Sequence, residues 1–281
     1  MLAASILFAI VIHKTMLIPD TNILSLISPY PFSKIMLIII ELFLLVLYSS
    51  MLSAGGEIIH IIFSIKKWYG ALITALITIL VIRRGYNSIT DLSEILFIPI
   101  VLIIFIISLT ATEKSITIPA PFIITPKALL SPIIYVSYNM LTTIPLLISI
   151  PDKYLYRNCG NQVGIVIFML STMLILPLYT HYSLIADSPL PLMNILNGTV
   201  KYLYEVLIAL AILTTAASSA YSISCSVKLI SYSKGIWIFT ALALIISTFG
   251  FTNIVNRVYF IFGISGIFLL LIVLLEGKKR A

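Results

Sequence analysis

Hydroxyl and amide side chains interrupt one of the apolar stretches of this sequence, residues 128–150. The polar side chains at its centre are Ser137, Tyr138, Asn139, Thr142 and Thr143. Proline removes a backbone donor and clashes with the preceding turn, so Pro132 and Pro145 on either side predict a broken helix. Broken helices bind solutes in secondary transporters, and we expect these five side chains to bind one. The alternative is a kinked helix whose hydroxyls bond to its own carbonyls.

A second group of small polar side chains lies in residues 202–226, where nearly every residue from Thr214 to Ala220 is small. The hydroxyl oxygens of Thr214 and Thr215 and the carbonyl oxygen of Ala211 are suitable ligands for a hard cation. Because no carboxylate is adjacent, a monovalent ion such as Na⁺ fits better than a divalent one. The alternative is close helix packing, which small residues also favour in membranes.

Ionisable residues are scarce inside the apolar stretches. A carboxyl group within a membrane is a candidate for proton or cation coupling, because burying it there is costly. Glu41 lies about two turns inside its stretch and is such a candidate, with a neutral, hydrogen-bonded carboxyl group as the alternative. Glu205 lies just inside another stretch, where its side chain can reach the membrane interface.

The composition indicates that lipid surrounds most of the chain. Of its 281 residues, 60% are hydrophobic and 10% are charged, and the mean hydropathy is +1.16. Soluble domains carry about 25% charged residues, and disordered chains need low hydrophobicity, so both classes are excluded. The net charge of +7 does not predict nucleic-acid binding, because the basic residues are scattered between apolar stretches.

Sequence motifs of enzymes and of metal sites are absent. The sequence contains no HExxH, GxSxG, GxxxxGK[ST] or GxGxxG pattern, and its two cysteines form no disulfide or metal-binding framework. We therefore expect no catalytic residues and no cofactor, apart from Na⁺ or H⁺ as a coupling ion.

The elements that must position the polar groups are continuous apolar runs, which favour helices over a transmembrane barrel. The fold predicted is an all-α, polytopic membrane helix bundle in a single integral membrane domain. Its nine predicted spans are residues 2–18, 35–54, 68–82, 92–109, 128–150, 163–184, 202–226, 235–249 and 254–275.

The distribution of lysine and arginine predicts the orientation in the membrane. With Lys278, Lys279 and Arg280 on one side, alternation of the spans gives that side eleven basic residues and the other side six. The positive-inside rule therefore predicts a cytoplasmic C-terminus. Nine spans that end inside begin outside, so we expect one further helix before Leu2.

Three segments together resemble the YkvI family of bacterial membrane proteins. They are Tyr138-Asn139, the run Thr214-Thr215-Ala216, and residues 250–256 followed by Tyr259 and Gly263. That family is similar to the amino-acid/polyamine/organocation superfamily, whose members have the LeuT-type fold. The sequence departs from the family in two places. The glycine-rich opening helix with its Gly-Gln-Glu-like motif has no counterpart, and Phe260 stands where proline is usual.

The resemblance implies a ten-helix core of two inverted five-helix repeats, in which the nine spans are helices two to ten. It also implies that Tyr138, Asn139, Thr142 and Thr143 line the substrate site. Ala211, Thr214 and Thr215 would match the half of a sodium site that the eighth helix supplies.

These observations predict a bacterial inner-membrane, multi-pass secondary transporter that couples a small amino-acid-like solute to Na⁺ or H⁺. The alternative is a solute-sensing or interaction module that has a transporter fold but does not transport. Its partners would be the lipid bilayer and a small molecule, and the sequence leaves the oligomeric state open.

Overall fold

A computed structural model describes residues 2–18, 23–112, 126–148, 158–181, 191–227 and 230–279, and every element in them is a helix. The helices are α1 (Leu2–Leu17), α2 (Ile23–Ile27), α3 (Ser33–Phe63), α4 (Lys67–Ile82), α5 (Tyr86–Thr112), α6 (Pro126–Ile148), α7 (Cys159–Thr180), α8 (Pro191–Ile195), α9 (Gly198–Ser226), α10 (Tyr232–Ser247) and α11 (Phe251–Lys279). The all-α prediction is confirmed for these residues.

Five helices in the described ranges are long and apolar enough to cross a membrane: Ser33–Phe63, Tyr86–Ala111, Leu130–Ile148, Cys159–Thr180 and Gly198–Ser226. They support the prediction of a helical membrane protein. The other four predicted spans fall on shorter apolar helical segments: Leu2–Leu17, Lys67–Ile82, Tyr232–Ser247 and Ile261–Leu275. The nine spans therefore stay a prediction. Residues 149–150 and 182–184 of the predicted spans lie outside the described part of the chain.

Helix α3 continues about two and a half turns beyond the predicted span, through Gly55 and Gly56 to Phe63. The two glycines let α4 approach closely. A Cβ atom on Gly56 would lie 2.5 Å from the backbone oxygen of Lys67, and one on Gly55 would collide with the Thr74 side chain. Hydropathy alone ends the span early because it does not detect packing between helices.

Helix α6 is unbroken from Pro126 to Ile148, so the predicted break at Pro132 and Pro145 is wrong. The helix packs against α1 and α11, and its buried side chains, such as Met140 and Leu141, belong to the largest apolar core. Within a membrane, neighbouring helices compensate for the hydrogen bond that a proline removes. Packing along α6 therefore keeps both prolines within one continuous helix.

The order and lengths of the elements repeat along the chain. Helices α1 to α5 have 16, 5, 31, 16 and 27 residues, and α7 to α11 have 22, 5, 29, 16 and 29. The α4–α5 loop ends in Gly85 (φ 79°) and the α10–α11 loop in Gly250 (φ 85°). Both glycines donate a backbone hydrogen bond to the residue three positions earlier. Each loop thus needs a left-handed residue at the same place, which glycine adopts without strain.

The contacts between helices follow the same repeat. Helices α1, α3 and α4 pack against their counterparts α7, α9 and α10. Contact of α3 with α10 and α11 is matched by contact of α9 with α4 and α5. Helices α3 and α9 therefore form the centre of the bundle, and among the described helices α6 has no counterpart.

Candidate functional site

A cavity of about 350 Å³ lies where α6 meets the central helices α3 and α9. This volume is within the range of small-molecule sites. Its lining residues are Phe43, Leu47 and Met51 of α3, Tyr138, Asn139, Thr142, Thr143 and Leu146 of α6, and Thr214, Thr215 and Ser218 of α9. The structure therefore brings four of the five predicted solute-binding residues together with both predicted ion-binding threonines.

The walls of the cavity differ in polarity. Helix α3 contributes three apolar side chains, whereas α6 and α9 contribute hydroxyl and amide groups. On α6, Tyr138 and Thr142 are four residues apart, as are Asn139 and Thr143, so they share one face of a continuous helix. An unbroken helix therefore presents the polar groups that the sequence assigned to a broken one.

The hydroxyl groups in the cavity donate to carbonyl groups of their own helices. Thr142 and Thr143 both donate to the Asn139 carbonyl oxygen, at 2.8 and 2.9 Å. The two α6 bonds are those expected for the alternative to a broken helix, in which hydroxyls bond to carbonyls of their own helix. On α9, Thr215 donates to the Ala211 carbonyl oxygen at 2.8 Å. A hydroxyl has one proton and two lone pairs, so each oxygen keeps acceptor capacity toward the cavity. The site is neutral and rich in acceptors, which suits an ammonium group or a monovalent cation.

The carbonyl of Ala211 already has two hydroxyl partners. Thr214 donates to it at 3.0 Å and Thr215 at 2.8 Å, and Ala211 does not line the cavity. Its lone pairs are therefore engaged within α9. A cation in the cavity would meet the threonine oxygens before it met this carbonyl group.

Ser137 lies on the opposite side of α6 from the cavity. Its side chain is fully buried and donates to the Ile133 carbonyl oxygen at 2.7 Å. Its own carbonyl oxygen packs against Gly266 of α11, where an added Cβ would collide with it. Ser137 therefore occupies the contact between α6 and α11, apart from the other predicted solute-binding residues.

Glu41 and Glu205 both lie outside the cavity. The Glu41 carboxyl group interacts with the hydroxyl of Ser226, near the beginning of α3 and the end of α9. Glu205 is buried near the beginning of α9, at the opposite end of that helix. In the described ranges, no three His, Cys, Asp or Glu side chains lie close enough to hold a metal ion.

The sequence interpretation missed the apolar wall formed by Phe43, Leu47 and Met51. These residues belong to a helix that is apolar throughout, so their types do not separate a cavity face from a lipid-facing or core face. Ser218 carried a detectable signal, because it follows Thr214 at a four-residue spacing in the same small-residue run.

Comparison of the chain with protein-family models, with curated proteins and with solved structures finds no match. The resemblance to the YkvI family therefore stays a prediction.

Proposed function

We propose that the protein is a multi-pass membrane secondary transporter for a small amino-acid-like solute. The observation that carries this proposal is the acceptor-lined cavity between α3, α6 and α9. Concave sites with an apolar wall and a few convergent polar groups are typical of small-molecule binding. The oxygens of α6 and α9 would hold the solute's ammonium group, and the side chains of α3 would contact its apolar part.

The repeated order of helices supports a LeuT-like inverted-repeat fold for the transporter. Five apolar helices, α1, α3, α4, α5 and α6, precede α7 in the described chain, and α1 and α4 are the shorter ones, with 16 residues each. If each crosses the membrane, α7 runs opposite to α1, and the second copy is inverted relative to the first. Transporters with such repeats bind their solutes near the midplane, where the repeats meet.

Alternating access would then consist of movement of α6 relative to the pair α3–α9. Helix α6 packs mainly on α1 and α11 and makes fewer contacts with α3 and α9, and the cavity lies beside its polar face. Because α6 is continuous, it would move as one body rather than by bending at Pro132 or Pro145.

Two coupling ions are consistent with the residues present. Na⁺ would bind the oxygens of Thr214 and Thr215, and H⁺ would bind the Glu41 carboxyl group. No enzymatic step and no cofactor enters this mechanism, because gradients of solute and ion supply the free energy.

The charges at the two ends of the bundle support a bacterial inner-membrane orientation with a cytoplasmic C-terminus. The end with the first residues of α3 carries Lys34, Arg83, Arg84 and Lys234, and the other end carries Lys66, Lys67 and Lys201. An excess of basic residues marks the cytoplasmic side.

The unbroken α6 favours a second candidate, a solute-sensing module that binds without transport. Without a break, α6 offers no half-helix terminus in the cavity and no local hinge. Such a module would bind the same solute in the same cavity.

Reconstitution of the purified protein into liposomes tests the proposal. We expect uptake of at least one radiolabelled amino acid from a broad panel, driven by an inward Na⁺ or H⁺ gradient and abolished by an ionophore that collapses it. Equilibrium binding to the detergent-solubilised protein is measured in parallel. Binding without accumulation would support the sensing module, and the absence of both would contradict the proposal.

A further inference from the structure

A row of serine hydroxyls continues the polar face of α9 beyond the cavity. Ser218 lines the cavity, and Ser222 and Ser226 follow it at four-residue intervals. Residues four apart lie on the same face of a helix, about 6 Å apart along its axis. Ser226 interacts with the Glu41 carboxyl group. The row therefore leads from the cavity to the Glu41 carboxyl group of α3.

The hydroxyl group of Ser222 differs from those of other buried serines on α9. Its side chain is 5% exposed, and its Oγ has no hydrogen-bond partner in the described part of the chain. Ser219 and Ser224 are equally buried, but each donates to a backbone carbonyl of α9 at 2.7 Å. An unpaired buried hydroxyl costs free energy, so this position indicates a polar ligand. A water molecule between Ser222 and the neighbouring hydroxyls would be such a ligand.

The surroundings of Glu41 leave its carboxyl group able to exchange a proton. The ion pair found among the described residues is Lys67–Glu57, which lies at the other end of α3 and does not involve Glu41. Helix α2 and the described side chains of α11 carry no titratable group. The titratable groups on α3 and the other elements around it at this end, and on α6, are Tyr30, Lys34, Tyr48, Arg83, Arg84, Tyr86, Tyr135, Tyr138, Tyr221, Cys225, Tyr232 and Lys234.

We propose that Ser218, Ser222, Ser226 and Glu41 form a proton path between the cavity and the basic end of the bundle. The inference rests on the proposed function and selects H⁺ as its coupling ion. Ser218 and Ser226 donate to the Thr214 and Ile223 carbonyl oxygens, so each must rotate its hydroxyl group to relay a proton. Each hydroxyl then accepts a hydrogen bond from a bridging water on one side and donates one on the other, so a proton enters at one side as another leaves. Glu41 accepts the proton on a carboxylate oxygen and later releases it, and no group in the path is changed after one passage.

Proton entry into liposomes tests this path. The full chain is reconstituted with a pH-sensitive dye inside, a potassium diffusion potential drives protons inward, and a mixture of amino acids is present outside. We expect Glu41→Gln and Ser222→Val to slow proton entry about tenfold or more, because each removes a group that relays protons. Ser222→Thr restores the hydroxyl at the volume of valine, and we expect near wild-type entry.

Matched variants control for nonspecific damage. Glu205→Gln changes the carboxyl group buried at the opposite end of α9, and Ser219→Ala removes a hydroxyl that bonds to Thr215 and Ala216 carbonyls. We expect both to conduct as the wild type does. If Ser222→Val does not fold, as judged by gel filtration, Ser226→Ala replaces it with the same expected loss.

Three results would overturn the path: no proton entry in the wild type, equal rates for Ser222→Val and Ser222→Thr, or wild-type rates for Glu41→Gln. Uptake of a labelled amino acid driven by Na⁺, without proton movement, would also overturn it but would leave the transporter proposal intact. Proton entry that needs Glu41, without uptake of any solute, would support the path and contradict the proposed function.

Discussion

Replacing Asn139 with leucine is expected to weaken solute binding about 100-fold, because a half-buried amide that the bound solute would cover is lost. The Asn139 amide lines the cavity, and its Nδ2 donates to the Tyr135 carbonyl oxygen at 2.7 Å within α6. When the amide is removed, the Tyr135 carbonyl oxygen still accepts the backbone N–H four residues later in the helix. The change therefore affects the cavity more than the fold. Equilibrium binding of the amino acid selected from the uptake panel measures the effect.

Two further variants separate the loss of the amide from the bulk of leucine. Asn139→Ala leaves the space open, and we expect it to lose affinity nearly as far as Asn139→Leu. Asn161→Leu makes the same exchange on an exposed part of α7 and is expected to bind as the wild type does. Equal losses of thermal stability and binding in Asn139→Leu alone would instead indicate that the amide serves the helix.

The double variant Thr214→Val with Thr215→Val is expected to lower the apparent affinity for the transported solute about 10- to 100-fold, through the loss of two half-buried acceptors in the cavity. Valine has nearly the shape of threonine, so the cavity keeps its volume. Both hydroxyls bond to carbonyls of α9 only, at Leu210 and Ala211, so no contact between helices is lost. Where Na⁺ stimulates uptake, that stimulation is expected to vanish in the same variant.

The matched control for this double variant is Thr172→Val. Thr172 donates to the Phe168 carbonyl oxygen at 2.7 Å, as the α9 threonines do to theirs, but it lies on α7 away from the cavity. We expect it to leave uptake unchanged. An unchanged affinity in the double variant as well would favour the simpler interpretation of this part of α9 as a packing surface.

The helical class and the approximate positions of the long helices could be predicted from hydropathy, because each apolar run must satisfy its backbone groups within the membrane. Helix ends were harder to predict. The glycines at 55 and 56 interrupt the apolar pattern, yet they allow α4 to pack and α3 to continue. Packing of this kind depends on a helix elsewhere in the sequence.

The proximity of Asn139 to Thr214 and Thr215 could be anticipated because both groups interrupt apolar stretches, and polar side chains avoid lipid. The reason first given for it, a break in α6, was wrong. Proline has a strong local effect, but contacts with α1 and α11 outweigh it. Ser137 shows the same limit, because its neighbours in sequence face the cavity while it faces Gly266.

The unpaired hydroxyl of Ser222 could not be found from the sequence. Serine in a membrane helix usually donates to a carbonyl of the preceding turn, as Ser218 and Ser219 do. Only the arrangement of side chains around α9 shows that Ser222 does not, and only the pairing of α3 with α9 places Ser226 beside Glu41.

We propose that polar groups of α6 and α9 share a water-accessible cavity within the membrane. The most direct test of this proposal is the labelling of single cysteines by a hydrophilic thiol reagent in membranes, in a background with Cys159 and Cys225 replaced by serine. The thiolate attacks the reagent, and the thiolate forms in water and not in lipid. Cysteine at 139 or 215 is expected to react, whereas cysteine at Leu102, exposed on α5, or at Ala217, buried in α9, is expected not to. If cysteines at 139 and 215 were as inert as the one at 102, the cavity would not be accessible and the account would be contradicted.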